Sequence, residues 1–184
     1  MVESNRENEI KLAFSSAQTA VTQLLAAGAR PVHARAFEDN VLFDFGDRSL
    51  LDSGRLLRLR EWNGSAWLTF KAPAGDGHRH KVRVEHEVAV SDPGQMRSIL
   101  AGLGFSPAYR YQKYRSTYEL PGVEAAVDET PIGTFVELEG APAAVDRAAR
   151  ALGATPSEFI RETYRELQER DAAARGLVAG DMLL

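Results

Sequence analysis

Charged side chains alternate with apolar side chains along several short segments of this chain. The first reads Glu7-Asn8-Glu9-Ile10-Lys11, and a late one reads Glu137-Leu138-Glu139. Side chains two residues apart lie on the same face of a β-strand. Each segment is therefore predicted to be a strand with one apolar face and one charged face. A fold of this chain must bury the first face and accommodate the second.

The same alternation, together with the turn signals between segments, predicts eight strands and four helices. We expect strands at residues 5–14, 32–45, 56–62, 66–72, 80–91, 108–120, 123–129 and 134–140, and helices at 16–27, 93–103, 143–152 and 156–169. The fold class is α+β, because the helices fall between groups of antiparallel strands. Eight such strands can close into a barrel with helices packed outside, which leaves no exposed strand edge.

The chain length of 184 residues predicts one domain, at residues 1–170, with a loosely attached tail at 171–184. The chain has no cysteine, which excludes zinc–thiolate sites, iron–sulfur clusters and a cysteine nucleophile. A net charge of −4 argues against a nucleic-acid partner. No apolar run approaches the length of a membrane span, and the first residues lack a signal-peptide pattern. We therefore expect a cytoplasmic protein.

Fourteen charges at alternating strand positions require an explanation of their own. They comprise seven bases (Lys11, Arg58, Arg60, Lys71, Arg83, Lys113 and Arg115) and seven acids (Glu7, Glu9, Glu85, Glu87, Asp128, Glu137 and Glu139). One interpretation is a sheet with a solvated face that carries cross-strand ion pairs. The alternative is a closed barrel with these charges inside. Because like charges two residues apart repel each other, a charged ligand explains them better than folding does.

The residue types indicate which ligand such an interior would hold. Clustered Arg and Lys suit phosphate oxygens, and clustered carboxylates suit Mg²⁺ or Mn²⁺. Together they predict a small-molecule polyphosphate substrate bound with a divalent metal. Crowding of the acids is expected to raise the pKa of some carboxylates in the empty protein.

The order and spacing of these motifs resemble those of the CYTH superfamily, the triphosphate tunnel metalloenzymes. Glu7-Asn8-Glu9-Ile10-Lys11 matches its ExExK motif, and the similarity extends over residues 5–168. The resemblance implies an eight-stranded antiparallel tunnel that binds a triphosphate group with Mg²⁺ or Mn²⁺. It also implies that Glu7, Glu9 and Lys11 are catalytic, that the seven bases bind the triphosphate, and that the seven acids are the candidates for metal ligands.

Three functions remain open from the sequence. The first is hydrolysis of a phosphoanhydride bond in inorganic, thiamine or nucleoside triphosphate. The second is that of a class IV adenylate cyclase, which forms cyclic AMP and pyrophosphate from ATP. The third is non-catalytic binding of polyphosphate or nucleotide. The protein is expected to be a monomer or a homodimer.

Three other features are assigned no part in this chemistry. His78 and His80 lie in a Gly/Pro/Asp-rich segment and are predicted to be solvated. His86 falls on the apolar face of its strand and is predicted to be a core or boundary residue. Trp62 and Trp67 flank Asn63-Gly64, a strong hairpin signal, and are predicted to form a cross-strand pair.

Overall fold

The computed structural model describes residues 6–74 and 80–184. Eight antiparallel strands form a closed barrel in the order β1-β5-β4-β3-β2-β6-β7-β8, which confirms the predicted fold class. The strands are β1 (Arg6–Phe14), β2 (Arg30–Asp44), β3 (Leu56–Trp62), β4 (Ser65–Pro73), β5 (Lys81–Val90), β6 (Ser106–Leu120), β7 (Val123–Thr130) and β8 (Gly133–Gly140).

Five α-helices and one short 3₁₀ helix connect the strands within the described residues. They are α1 (Ala17–Ala26), α2 (Ser49–Asp52), α3 (Pro93–Gly102), α4 (Pro142–Ala151), the 3₁₀ helix (Pro156–Glu158) and α5 (Tyr164–Ala174). Side-chain caps set the starts of α1 and α3, because Ser16 accepts from the Thr19 amide at the start of α1 and Asp92 accepts from the Gln95 amide at the start of α3. The four-residue helix α2 was not predicted.

The apolar faces of the strands pack under the helices, as the alternation predicts. Ile10 and Leu138, on the outer face of the barrel, form a fully buried cluster with Leu24 of α1 and Val145 of α4. A second cluster joins the barrel to α3. Because the outer face supplies this core, the charged face of each strand points into the barrel.

The hairpin between β3 and β4 forms as predicted. Asn63 and Gly64 both have positive φ, at 50° and 75°, which is the conformation of a two-residue type I′ turn. The ring centroids of Trp62 and Trp67 lie 6.5 Å apart across this hairpin, which confirms the predicted pair.

The predicted helix at 156–169 is wrong. After the 3₁₀ helix the chain becomes extended, and Ile160 exchanges two 2.9 Å backbone hydrogen bonds with Lys11. Helix α5 then begins at Tyr164, because Thr163 and Glu166 form a reciprocal capping box. Residues around Ile160 therefore pair with β1 of the barrel and are extended, although their sequence pattern is helical.

The expectation of a loosely attached tail is also wrong. Helix α5 runs to Ala174, so the boundary predicted at residue 170 falls inside a helix. Met182 is only 1% exposed and forms backbone hydrogen bonds with Arg110 and Gln112 of β6, at 2.9 and 2.8 Å. The chain around Met182 therefore pairs with the first part of β6, which β7 does not reach. Among the described residues, no helix is long and apolar enough to cross a membrane.

Candidate active site in the barrel

The strand register places the fourteen predicted charges on the inner face of the barrel. Cross-strand partners include Glu7 with Arg83, Lys11 with Glu137, and Lys71 with Glu85. All of the fourteen except Asp128 line one cavity of about 990 Å³. The alternative prediction, a sheet with these charges on a solvated face, is therefore wrong.

Three carboxylates come together where β1 begins and β8 ends. Oxygen atoms of Glu7, Glu85 and Glu139 all lie within 4.8 Å of one another, and we call these three residues the acid cluster. Lys71 Nζ bridges two of them, at 2.6 Å from Glu7 and 2.8 Å from Glu85. Desolvation in the cavity, with the nearby Glu9, raises the pKa of the buried Glu7 to about 8 and that of Glu139, whose side chain is still exposed to solvent, to about 7. The expected rise in carboxylate pKa occurs at these two residues, but desolvation contributes more to it than the crowding of acids on which the prediction was based.

Glu9 and Glu137 are each only two residues from a member of the acid cluster, but basic side chains balance their negative charge. Lys11 Nζ lies 3.5 Å from Glu9 and 3.2 Å from Glu137. Arg83 donates to Glu9 at 3.1 Å, and Arg115 donates to Glu137. Burial alone would raise the pKa of both carboxyls, but these cations outweigh it and lower each pKa. Both side chains are therefore held as carboxylates.

Asp128 is on the inner face of the barrel but is not among the residues that line the cavity. It is 0% exposed and accepts hydrogen bonds from Lys113 at 2.8 Å, Arg115 at 2.6 Å and the Tyr164 hydroxyl at 2.6 Å. The structure does not bring it to the acid cluster. Its position suits a group that orients two of the predicted phosphate-binding bases.

Arg58 and Arg60 form a separate group with Glu87. Arg60 donates to Glu87 at 3.2 Å, and the Thr69 hydroxyl donates to the same carboxylate at 2.6 Å. Arg58 donates to the Tyr111 hydroxyl at 3.4 Å and to Thr69 at 3.3 Å. Glu87 is therefore bonded to this basic group rather than placed in the acid cluster.

The sequence reasoning missed further charged residues of the interior, and two of these, Glu38 and Lys81, form ion pairs with the predicted set. Glu38 of β2 is fully buried and pairs with Lys113 at 3.3 Å and Arg115 at 3.6 Å. It was missed because no like charge lies two residues away. Lys81 lines the cavity, and burial with the nearby Arg83 lowers its pKa to about 8. A signal for Lys81 existed, since Lys81-x-Arg83 repeats the spacing of the other bases.

Two histidine predictions are wrong. His80 is 7% exposed, lies 2.9 Å from Asp146 Oδ1 and stacks on Phe159. It anchors the start of β5 instead of being solvated. His86 is exposed, so it does not belong to the core. His78 lies outside the described residues.

The acid cluster has the donor chemistry of a site for a hard divalent cation. Mg²⁺ and Mn²⁺ prefer oxygen ligands, and Mg²⁺ commonly combines one or two carboxylates with phosphate oxygens of a substrate. Glu7, Glu85 and Glu139 supply carboxylate oxygens close enough to share one ion, and bases adjoin them for the phosphates. The residues present therefore fit such a metal.

A closed antiparallel barrel lined by both bases and acids defines the class of triphosphate tunnel proteins. The chain belongs to the CYTH domain family, whose model matches residues 5–173. Members of this family bind triphosphate substrates and depend on metal ions.

Named relatives agree with this membership. A protein of Methanocaldococcus jannaschii named "Putative adenylate cyclase" is 29% identical over 173 residues, which cover 88% of this chain and 98% of that protein. A solved structure from Vibrio parahaemolyticus, described as "a putative adenylate cyclase", has a TM-score of 0.79 at 16% identity and covers 90% of this chain and 98% of that one.

A third relative carries a different activity in its description. The structure of HpAC1 from Hippeastrum is described as a "putative adenylyl cyclase" that "reveals a dominant" triphosphatase activity. Its TM-score is 0.63 at 19% identity, over 94% of this chain and 97% of that one. At these identities, the two solved structures establish the shared fold.

Proposed function

We propose that this chain is a divalent-metal-dependent triphosphatase, which binds a triphosphate group inside the barrel and hydrolyses a phosphoanhydride bond. One observation carries the proposal. Bases and an acid cluster line the same cavity, so a polyanion and its metal can bind side by side.

The bases would hold the triphosphate by charge and by directed hydrogen bonds. Arg58, Arg60, Arg83 and Arg115 can each present two N–H groups to phosphate oxygens, whereas Lys11, Lys71 and Lys113 act as compact point charges. The acid cluster would hold Mg²⁺ or Mn²⁺, and such an ion neutralises charge on phosphoryl oxygens.

Residues of the ExExK motif would act at the reacting bond. Lys11 is held at the cavity wall by Glu9 and Glu137, so its ammonium can donate to a phosphoryl oxygen as negative charge develops there. Glu7 would accept a hydrogen bond from the attacking water and orient it. Phosphoryl transfer depends mainly on such positioning and charge stabilisation.

The second candidate is a class IV adenylate cyclase. The names of two relatives favour it. The same bases and acids would serve, but the ribose 3′-hydroxyl of ATP would attack the α-phosphorus and expel pyrophosphate.

One assay separates the candidates. The protein is incubated with Mg²⁺ or Mn²⁺ and tripolyphosphate, thiamine triphosphate or ATP, and the products are identified. Orthophosphate release supports the triphosphatase, whereas cyclic AMP with pyrophosphate supports the cyclase. No turnover with any of the three contradicts both, and tight triphosphate binding that is insensitive to chelators would then indicate a non-catalytic binder. Arg58→Ala should abolish turnover, and Arg30→Ala, at an exposed ion pair, is the matched control.

Cytoplasmic location, the absence of a nucleic-acid partner and a monomeric or homodimeric state stay predictions. Size-exclusion chromatography with light scattering tests the last of these directly.

A further inference from the structure

Lys81 lies on the cavity wall beside the bases of the proposed site. It is the first residue of β5 and is not one of the fourteen predicted charges. Its side chain is 19% exposed, but its ammonium nitrogen is buried and has no hydrogen-bond partner among the residues that the structure describes. Buried charged groups normally have such partners, because losing hydration is costly. The ammonium group of Lys81 therefore has unused hydrogen-bonding capacity in the empty protein.

Three bases converge on one carboxylate oxygen at this wall. Glu9 Oε1 lies 3.1 Å from Arg83, 3.5 Å from Lys11 and 3.9 Å from Lys81. Arg83 donates a hydrogen bond to it, whereas the distance to Lys81 is too long for one. Lys11 also pairs with Glu137 at 3.2 Å, but Glu9 is the one carboxylate within 4.0 Å of Lys81 in the described part of the chain. The protein therefore balances the charge of Lys81 poorly.

A second acid near Lys81 is already bonded elsewhere. Glu166 lies in the first turn of α5, and its carboxylate accepts hydrogen bonds from the amide and the hydroxyl of Thr163, at 2.6 and 2.7 Å. Burial and the repulsion of Arg83 outweigh both acids and lower the pKa of Lys81 to about 8. A further anion at this place would stabilise the ammonium form.

The lysine content of the chain points to the same role. The chain has four lysines, Lys11, Lys71, Lys81 and Lys113, and all four line the cavity. The other positively charged residues are all arginines, including Arg30 in an exposed ion pair. Lysine is therefore not used as a surface charge in this protein. Three of the four are proposed to bind the triphosphate, and Lys81 shares their location.

We propose that Lys81 is an eighth phosphate-binding base, which donates hydrogen bonds to the phosphate group that lies nearest to α5 in the bound triphosphate. This inference rests on the proposed function and adds a substrate contact from outside the charge motifs. An ammonium group has three N–H donors, so Lys81 can bind phosphate oxygens without leaving Glu9. Glu9 in turn holds Lys11 and Arg83 beside the same phosphate.

The first test is calorimetry with tripolyphosphate in a chelator, which withholds the metal. Lys81→Met should raise Kd at least about tenfold, because it removes a charge-assisted hydrogen bond. Lys81→Arg keeps the charge and should restore most of the affinity. Arg30→Met removes an exposed base and is the control, for which we expect an unchanged Kd.

Thermal unfolding separates this role from a structural one. Because Lys81 has no hydrogen bond and lies near two other cations, Lys81→Met should not lower the Tm of the empty protein. A second measurement uses the wild-type protein. Selective isotope labelling of four lysines gives four side-chain Cε signals in NMR spectra, and Lys81→Arg identifies that of Lys81. This signal should move when tripolyphosphate is added.

The inference is overturned by an unchanged Kd in folded Lys81→Met, by a lower Tm without a change in Kd, or by a Lys81 signal that tripolyphosphate does not move. Failure of the proposed function looks different, because wild-type protein with Mn²⁺ would then release no phosphate from any triphosphate. Calorimetry in the chelator still decides in that case whether Lys81 binds phosphate. No binding of tripolyphosphate by the wild type would overturn the inference as well.

Discussion

Glu7 and Glu9 are two residues apart on one strand and face one cavity, but their pKa values move in opposite directions. The pKa of Glu7 is raised to about 8, whereas that of Glu9 is lowered. The same contrast occurs on β8, where the pKa of Glu139 is raised and that of Glu137 is lowered. Desolvation in the cavity favours the protonated form of all four, even of Glu139, whose side chain is exposed, so the difference within each pair comes from neighbouring charges.

The neighbours divide the acids into two functional groups. Glu9 and Glu137 share Lys11 and each has an arginine in addition, so their charge is balanced within the protein. Glu7 and Glu139 belong to the acid cluster, where Lys71 is the principal cation. Cations of the protein surround the first pair, whereas the second pair has fewer cations near it. A divalent cation would supply positive charge there.

The largest expected effect comes from removing the cation that balances the first pair. Lys11→Met leaves the buried Glu9 and the half-buried Glu137 without their shared partner, which should cost about 3–5 kcal/mol of the free energy of unfolding and abolish turnover. Urea denaturation measures the first effect. Arg30→Met removes the exposed pair with Glu119 and should cost less than about 1 kcal/mol. Equal losses in the two variants would mean that the interior pairs do not stabilise the barrel.

The cluster acids should dominate the metal requirement. Glu7→Gln and Glu139→Gln are expected to raise the Mn²⁺ concentration for half-maximal activity more than tenfold, because each removes a proposed ligand. Glu9→Gln and Glu137→Gln should change it less and lower the maximal rate instead, because they release Lys11. Activity measured against Mn²⁺ concentration checks this. A larger shift in the Glu9 and Glu137 variants would reverse the assignment of the two groups.

Lys71 occupies the acid cluster in the empty protein and should compete with the metal. In Lys71→Met, Mn²⁺ should bind about tenfold more tightly in the absence of triphosphate, a difference of about 1.4 kcal/mol. Calorimetry without substrate measures this, and His86→Met on the exposed face of β5 is the control. Weaker Mn²⁺ binding in Lys71→Met would show that the lysine supports the metal site.

The smallest effect is on the pH dependence of stability. Because folding raises the pKa of Glu7 from 4.5 to about 8 and that of Glu139 from 4.5 to about 7, the folded protein holds more protons than the unfolded chain between these values. The stability of the empty protein, and with it Tm, should therefore fall as pH rises from about 5 to about 8, mainly through the buried Glu7, because the exposed Glu139 is screened by solvent. Thermal melts in a chelator measure this fall, which Glu7→Gln should reduce. A Tm that rises over this range would contradict the account.

The sequence was sufficient for the barrel but not for the division among its acids. Alternation of charge with Ile10, Leu59 or Leu138 specifies strands with one apolar face, and eight such strands need closure. Which acid is balanced depends on cross-strand contacts such as Lys71 with Glu7, 64 residues apart, and no local pattern encodes them.

Long-range contacts also explain the local errors. Residues 156–169 have a helical pattern, but pairing of Ile160 with Lys11 imposes an extended segment. The Ala/Gly-rich composition near the end predicts a loose tail, but the buried Met182 side chain and the backbone hydrogen bonds of Met182 with Arg110 and Gln112 hold it on β6. His80 is buried because Asp146 of α4 and Phe159, both distant in the sequence, contact it.

The most direct test of the proposed metal and triphosphate sites is a crystal structure with Mn²⁺ and a non-hydrolysable triphosphate analogue. The account predicts anomalous density for manganese between Glu7, Glu85 and Glu139, with the phosphate chain on Arg58 and Lys71 inside the barrel. Manganese bound by Glu9 and Glu137 in place of the acid cluster, or a triphosphate outside the barrel, would contradict it.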